Sequence, residues 1–173
     1  IPEDCMFAGH SLGEYAAVFS VAGIMSLENL LDVVFMRGIT MQVAVERHED
    51  GSSDFGMVAV NPSRVGKRFT AQDLIDTIQL LDSPQELLQI VNYNVEPRQY
   101  VCAGHVRALM ALRLVLDEIA VSGCSIQEAV EKHAASAQYT SFAELKGKAT
   151  VPLGGIDVPF HSRQLLGGVV AFR

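Results

Sequence analysis

The chain has 173 residues, of which 49% are hydrophobic, and a formal net charge of −7 at pH 7. Its length suffices for one domain with a sizeable core. The negative charge and the lack of a basic run argue against nucleic acid and anionic membranes as partners, and no apolar run reaches the roughly 18 residues of a membrane span. The hydrophobic content is high for a free domain, so we expect part of the surface to be covered by further chain or by partners.

The cysteines indicate the cellular compartment, and the first residue indicates whether the chain is part of a longer protein. Cys5, Cys102 and Cys124 are odd in number and lack a Cys-x-x-Cys spacing. Cys5 and Cys102 stand in apolar, strand-like contexts, which predicts free buried thiols in a reducing compartment. Neither a signal peptide nor a cluster of metal ligands is present, so we expect a cytoplasmic protein without a metal ion. Because the sequence begins with Ile1 rather than methionine, we expect a fragment of a longer protein.

The first motif is Gly9-x-Ser11-x-Gly13, which lies between a short apolar run and a helical pattern. Cys5 to Ala8 predicts a buried strand, and Glu14 to Ala22 predicts a helix. A serine at such a turn sits in a strained backbone, and the two glycines allow neighbouring chain to approach closely. Helix-start amides, beginning with that of Leu12, can stabilise an oxyanion. The pattern predicts Ser11 as a nucleophile, although a glycine-rich turn with an incidental serine is the alternative.

A second helix carries an arginine in an unusual place. Ser26 is predicted to cap this helix, which runs from Leu27 to about Glu46. Arg37 lies on its apolar face, since Leu30, Val34, Arg37 and Met41 are spaced i, i+4, i+7 and i+11. An unpaired buried charge costs several kcal/mol, so the guanidinium needs an anion or carbonyl groups. Both a structural ion pair and a ligand-binding role stay open. The predicted apolar stripe consists of Leu27, Leu30, Leu31, Val34, Phe35 and Met41.

A polar linker from His48 to Asp54 precedes an α+β pattern that extends to about residue 156. Its elements follow the strand–helix–strand–strand–helix–strand order of a split βαβ, ferredoxin-like subdomain. We predict that this subdomain is inserted into a larger α/β frame that supplies both Ser11 and His161. The predicted elements are a strand at Phe55–Val60, a helix with a Thr70–Asp73 capping box, strands at Leu87–Tyr93 and Gln99–Ala103 around a turn at Asn94–Pro97, a helix from about His105 to Val121, a helical insertion at about 122–148, and a strand at Ala149–Ile156.

A serine nucleophile needs a base, and the chain has five histidines. His10 adjoins the serine, where neighbouring side chains in a sharp turn usually point apart. His105 opens a helix after Gly104, a typical surface position. His161 follows a strand-like run and lies in a loop fixed by Pro159, which favours it as the base. A structural or surface role is the alternative for each histidine, including His48 and His133 in their polar segments.

Four segments, in order, carry a family resemblance. They are Gly9-His10-Ser11-Leu12-Gly13-Glu14-Tyr15-Ala16-Ala17, Phe35-Met36-Arg37-Gly38 with Met41-Gln42, Asn92-Tyr93-Asn94 before Gln99-Tyr100-Val101, and Val158-Pro159-Phe160-His161-Ser162. Together they resemble the malonyl-CoA:acyl-carrier-protein transacylase family, most closely the malonyl/palmitoyl transferase domain of the fungal type I fatty-acid synthase β subunit. Four ordered motifs across nearly the whole chain are far more specific than one Gly-x-Ser-x-Gly.

The resemblance implies an α/β fold with two subdomains. Residues 1–54 and 157–173 would form an incomplete, hydrolase-like large subdomain, and residues 55–156 a ferredoxin-like α+β small subdomain. The family's second oxyanion donor comes from a loop upstream of the elbow, and further chain after His161 normally orients the imidazole. We therefore expect this fragment to be inactive or nearly so when it is produced alone.

The resemblance also implies an activity. Ser11 would accept the acyl group, His161 would be its base, the amide of Leu12 would stabilise the oxyanion, and Arg37 would pair with the malonyl carboxylate. Asn94 would line the pocket. Malonyl groups, and palmitoyl groups in reverse, would move between coenzyme A and the phosphopantetheine of an acyl carrier protein within a fatty-acid synthase. No cofactor is then bound; malonyl-CoA, long-chain acyl-CoA and the carrier protein are the partners.

Three alternatives differ from this interpretation. A serine hydrolase or thioesterase would need an acid between Ser11 and His161, but Asp157 is too close in sequence to His161 and Asp117 is predicted to be helical. An inactive, docking-only module would not be expected to retain the serine, the histidine and Arg37. A loading transferase of a specialised synthase for secondary metabolism has the same motifs, so the sequence leaves it open.

Overall fold

The structure is a computed structural model, and it describes residues 4–135 and 141–172. The chain divides into two compact units, Ile1–Val43 and Ala44–Arg173, which we call the elbow unit and the sheet unit. Ser11, Leu12 and Arg37 belong to the elbow unit, and Asn94 and His161 to the sheet unit.

The elbow unit contains two helices, α1 (Leu12–Ala22) and α2 (Leu27–Gln42). α1 ends at Gly23, whose φ of +58° is a left-handed conformation that favours glycine. The predicted cap of α2 is confirmed, because the amide of Asn29 donates to Ser26 Oγ at 3.2 Å. The predicted strand at Cys5–Ala8 is wrong. A strand is defined by its bonds to a neighbouring strand, and the described part of the elbow unit contains only the two helices.

α2 differs from its prediction in length and in burial. It ends at Gln42 rather than near Glu46, and Val45, which belongs to the sheet unit, is only 5% exposed. The predicted apolar stripe is split. Leu27, Leu31 and Phe35 are exposed, whereas Leu30, Val34, Arg37 and Met41 are half-buried. Arg37 is therefore on the less exposed face, but that face is not a closed core.

The strands and α-helices of the sheet unit are β1 (Phe55–Val60), α3 (Ala71–Leu81), β2 (Leu88–Val95), β3 (Gln99–His105), α4 (Val106–Ser122), α5 (Ile126–His133) and β4 (Thr150–Pro152). The strands form an antiparallel sheet in the spatial order β2-β3-β1-β4. The Thr70–Asp73 capping box that opens α3 is present as predicted. Among the described residues, 3-10 segments at Pro62–Arg64, Phe142–Leu145 and Arg163–Phe172 complete the unit.

The two faces of this sheet are covered by different parts of the chain. The helices cover one face, where Leu74 of α3 and Leu109 and Leu112 of α4 are all fully buried. On the other face, Met57, Val101 and Ala103 form a smaller cluster against which Phe160 packs. The segment that leads to His161 therefore lies on the sheet face opposite the helices.

The last strand of the sheet unit and the segment before it are less regular than predicted. β4 spans only Thr150–Pro152, not Ala149–Ile156, because the chain turns at Gly155, which has a φ of +77°. Within the predicted insertion at 122–148, α5 is present and is opened by a Ser125–Glu128 capping box. Residues 136–140 of this insertion lie outside the described residues.

The thiols agree with their prediction only in part. Cys102 is buried in β3, and burial raises the pKa of its thiol. Cys5 is exposed, because the strand that would bury it does not form. None of the helices in the described ranges is both long and apolar enough to span a bilayer.

Candidate active site

Ser11 sits at the start of α1 in a strained backbone. Its φ of +55° and ψ of −111° lie outside the regions that a side-chain-bearing residue normally adopts. The turn is tight, since the amide of Gly13 donates to the carbonyl of His10 at 3.0 Å. Although Ser11 is the N-cap residue, its side chain makes no capping hydrogen bond. The predicted elbow geometry is therefore present at Ser11, even though the strand before it is not.

The close packing around Gly9 explains why the motif needs a glycine at its first position. A Cβ at this position would lie 2.0 Å from the carbonyl oxygen of Gly13 and 2.5 Å from the amide nitrogen of Glu14. Any other residue would have to open the turn. For Gly13 the expected close approach is not seen, because a Cβ there would meet no described atom within 4 Å.

Arg37 lies beside Ser11. One guanidinium nitrogen, Nη2, donates to Ser11 Oγ at 3.4 Å, so the two helices bring together residues that are 26 positions apart. The guanidinium carbon also lies 5.4 Å from the centre of the Tyr15 ring, within range of a cation–π interaction. Among the described residues, no carboxylate forms an ion pair with Arg37. Its charge is held next to the serine by a hydroxyl and a ring rather than by an anion.

Tyr15 is a site residue that the sequence analysis did not identify. It follows Ser11 by four residues and is half-buried, so both side chains lie on the same side of the first turns of α1. The i, i+4 spacing from the serine was the available signal. Its ring restricts where the Arg37 guanidinium can lie.

Leu12 is the first residue of α1, and its side chain is 44% exposed. Its amide is one of those at a helix start for which helix geometry provides no acceptor within the helix. The partial positive charge of the helix N-terminus acts at the same place. An oxygen anion formed at a carbonyl next to Ser11 Oγ would be stabilised there.

His161 protrudes from a firmly packed turn of the sheet unit. It is exposed, whereas Pro159 and Ser162 are buried. Ser162 Oγ donates to the carbonyl of Pro159 at 2.6 Å and its amide donates to the same oxygen at 3.2 Å. His161 has a φ of +62°, and it and Ser11 are the two non-glycine residues of the described chain with positive φ. Strained backbone of this kind is concentrated at functional sites.

The residues of the predicted site are divided between the two units. Ser11, Leu12 and Arg37 are brought together in the elbow unit. Asn94 is exposed near the end of β2, and His161 lies in the same, sheet unit. Because Ser11 and His161 lie in different units, a hydrogen bond between them stays a prediction.

The structure gives three of the other histidines local partners. His105 is half-buried, and its Nδ1 accepts from the amide of Leu87 at 2.8 Å, so the predicted surface position is wrong. Burial lowers the pKa of His105. His48 pairs with Asp54 at 3.1 Å. His133 pairs with Glu118 at 3.3 Å.

The two acids that the sequence analysis weighed for a hydrolase triad have other partners. Asp157 forms an ion pair with Arg47. Asp117 forms one with Arg113 at 2.9 Å and also accepts from the amide of Lys148 at 2.9 Å. Within the described ranges no three His, Cys, Asp or Glu side chains are grouped to hold a metal ion.

Comparison with known proteins agrees with the family resemblance. The chain matches the acyl transferase domain family over residues 2–173. Over its full length it is 41% identical to the fatty acid synthase beta subunit stcK of Emericella nidulans, 48% to fatty acid synthase 2 of Mycosarcoma maydis and 45% to the fatty acid synthase subunit beta of Saccharomyces cerevisiae. It spans 10%, 5% and 9% of the lengths of these relatives. By this match over nearly its whole length, the chain belongs to the acyl transferase domain family.

Proposed function

We propose that this domain transfers malonyl groups from coenzyme A to an acyl carrier protein through an O-malonyl ester of Ser11, and palmitoyl groups in the reverse direction. The observation that supports the substrate is the 3.4 Å hydrogen bond from Arg37 to Ser11 Oγ. In a malonyl ester the free carboxylate carbon is three bonds beyond Oγ. A guanidinium that already contacts Oγ can turn to this carboxylate and bind it through two parallel hydrogen bonds.

The transfer takes place in two half-reactions, acylation of Ser11 and transfer of the acyl group to the carrier thiol. Ser11 Oγ attacks the thioester carbonyl while His161 takes its proton, and the elbow amides stabilise the oxyanion. The carbon–sulfur bond breaks, and coenzyme A leaves as a thiol with the proton from His161. The carrier's phosphopantetheine thiol then gives its proton to His161 and attacks the ester. The carbon–oxygen bond breaks, and Ser11 recovers its proton.

This mechanism requires that His161 reach Ser11. We expect the distance between Oγ and a ring nitrogen to be about 2.6–3.5 Å in the full-length protein, allowing for a loose site without substrate. A distance above roughly 6 Å without a bridging water would remove His161 as the base. We also expect Asn94 to line the acyl pocket.

We further propose the fold that goes with this function. Residues 1–54 and 157–173 form part of a hydrolase-like large subdomain, and residues 55–156 a ferredoxin-like small one. The strand order β2-β3-β1-β4 with antiparallel neighbours supports the second assignment.

The partners are proposed from the relatives and from the surface. The relatives that match over the whole chain are named as fatty acid synthase subunits, so we place this domain in such a synthase. Helix α2 exposes Leu27, Leu31 and Phe35 by 71%, 58% and 66% of their surface. Apolar patches of this kind mark contact surfaces. We propose that the rest of the synthase covers them.

The decisive experiment is acyl trapping. The full-length protein is incubated with labelled malonyl-CoA, palmitoyl-CoA or acetyl-CoA and then digested for mass spectrometry. We expect the label on the peptide that contains Ser11, and its loss in Ser11→Ala. A label on another peptide, or undiminished labelling of Ser11→Ala, would overturn the assignment. Rapid release of free malonate without any carrier protein would favour a hydrolase instead.

A further inference from the structure

Arg163 is the centre of a polar network two residues after His161. Its Nη1 and Nη2 donate to the two carboxylate oxygens of Asp82 at 2.7 and 2.8 Å. Nη2 also donates to the carbonyl of Ser83 at 2.8 Å, and the Arg163 amide donates to Gln89 Oε1 at 2.8 Å. Both the backbone and the side chain of Arg163 are therefore fixed to the α3–β2 region of the sheet unit.

This pair differs from an ordinary surface ion pair. The two side chains are only 36% and 27% exposed, and the contact is bidentate. Such a fork-to-carboxylate contact fixes orientation as well as distance. Asp82 also accepts the amide of Leu88 at 2.8 Å, so it is itself held on the sheet.

The position of Asp82 shows that the carboxylate needs this partner. Asp82 directly follows the last residue of α3, where the negative end of the helix dipole disfavours an anion. Burial raises the pKa of Asp82, but hydrogen bonds from Arg163 and from the Leu88 amide outweigh it, so the pKa lies below its ordinary value. The hydrogen bond from Arg163 is the main cause among those that lower it. Arg163 thus favours the ionised form of Asp82.

The turn that carries His161 is held from both sides. On its N-terminal side, Phe160 packs on the apolar cluster of Met57, Val101 and Ala103. On its C-terminal side, the Arg163 network is the first side-chain anchor after the buried Ser162. His161 itself, between these anchors, is exposed and has the strained φ of +62°. A strained backbone of this kind persists only where its surroundings enforce it.

We propose that the Asp82–Arg163 pair is a positioning device that holds the backbone of the His161 turn and so sets the direction of the His161 ring. This inference rests on the proposed role of His161 as the base. Arg163 and Asp82 contact no substrate in this scheme and act through His161. A misplacement of about 1 Å in a reacting group can cost a hundredfold in rate.

The test uses the full-length protein and the single-turnover rate at which malonyl-CoA acylates Ser11, followed by mass spectrometry. Asp82→Asn keeps the size of the side chain and Arg163→Gln keeps a shorter polar side chain, and each removes one charge of the ion pair. We expect each to lower this rate by about tenfold, with less than a twofold change in the malonyl-CoA concentration that gives half the maximal rate. Arg163→Lys keeps the positive charge but cannot make the bidentate contact, so its acylation rate should lie between the rates of these two variants and that of the wild type.

A matched control comes from the same connection. Arg107 pairs with Glu86, which lies between α3 and β2 as Asp82 does, at 3.1 Å. Arg107 is 57% exposed and pairs with Glu86 rather than with Asp82 or a residue of the His161 turn. Arg107→Gln should therefore acylate Ser11 at the wild-type rate. A loss equal to that of Arg163→Gln would mean that any disturbance of this region slows the reaction, and would overturn the proposal.

A double-mutant cycle separates positioning from stability. In the His161→Ala background, whose slow acylation is followed over hours, Arg163→Gln should cause no further loss. An equal tenfold loss there, or wild-type rates in Arg163→Gln and Asp82→Asn, would overturn the positioning role and leave His161 as the base. A His161→Ala protein as fast as the wild type would instead overturn the base assignment and the inference with it. If Arg163→Gln does not fold, Arg163→Lys takes its place in the cycle.

Discussion

The turns that carry Ser11 and His161 are both strained, but they are enforced in different ways. At Ser11 the geometry is local, because Gly9, Ser11 and Gly13 lie within five residues and the turn closes on itself. At His161 the geometry depends on residues distant in sequence. Phe160 packs on a sheet face, and Arg163 binds Asp82, which is 81 residues away. The turn of Ser11, the proposed nucleophile, can therefore be predicted from a short motif, whereas the placement of His161, the proposed base, depends on the whole sheet unit.

The largest effect should come from breaking the local turn. Gly9→Ala places a Cβ 2.0 Å from the carbonyl of Gly13, so the turn must open and Ser11 Oγ must move. We expect the acylation rate of the full-length protein to fall by about 10²–10³. The sheet unit should be unaffected, and hydrogen exchange of its strands checks this. Gly13→Ala is the control, since its Cβ would meet no described atom, and it should lose much less.

The next prediction concerns specificity within the elbow unit. Arg37→Ala removes the cation beside Ser11 Oγ but leaves the serine and the amide of Leu12 in place. Malonyl transfer should fall by about 10²–10³ in kcat/KM, because deleting one side of a charged, hydrogen-bonded pair costs roughly 3–4 kcal/mol. Palmitoyl or acetyl transfer, which has no carboxylate to lose, should persist or improve. Parallel losses for all three substrates would mean that Arg37 is structural.

A smaller effect is expected from loosening the His161 turn. Ser162→Ala removes the 2.6 Å hydrogen bond from Oγ to the carbonyl of Pro159, although the amide of residue 162 still donates to that oxygen. We expect a loss of stability of about 1 kcal/mol and a reduction in kcat of a few-fold. Acylation kinetics and thermal melting of the full-length protein measure both. A lower melting temperature with an unchanged kcat would show that the turn keeps its shape without this hydrogen bond.

The same difference between local and distant contacts explains which features could be predicted from the sequence. The Ser26 cap and the Thr70–Asp73 capping box depend on neighbouring residues, and both were predicted. The bounds of the strand Phe55–Val60 were predicted correctly, because it is a short, almost entirely apolar run, and five of its six residues are buried. The strand at Cys5–Ala8 was wrong, since apolar residues alone do not provide a pairing partner. The Asp82–Arg163 pair could not be predicted, because no periodicity links residues 81 positions apart.

The prediction with the smallest effect uses pH to test the distant anchor. Because the pKa of folded Asp82 lies below its ordinary value of 3.8, ionisation of Asp82 favours the folded turn. This contribution is complete above pH 3.8 and is lost as the pH falls through the lower, folded pKa. Since both side chains are partly exposed, we expect it to be about 0.2–1 kcal/mol.

The measurement is hydrogen exchange of the peptide around residues 160–166 in the full-length protein, corrected for the intrinsic effect of pH on exchange. The amide of Leu165, which donates to the carbonyl of Ser162 at 3.1 Å, reports on the turn. The wild type should be better protected than Asp82→Asn by a constant factor between pH 5 and 7, and the difference should shrink below pH 3.8. Arg107→Gln should match the wild type throughout. A difference that is absent at pH 7, or that grows as the pH falls, would mean that the ionised Asp82 does not hold this turn, and only the sheet face would then be left as its anchor.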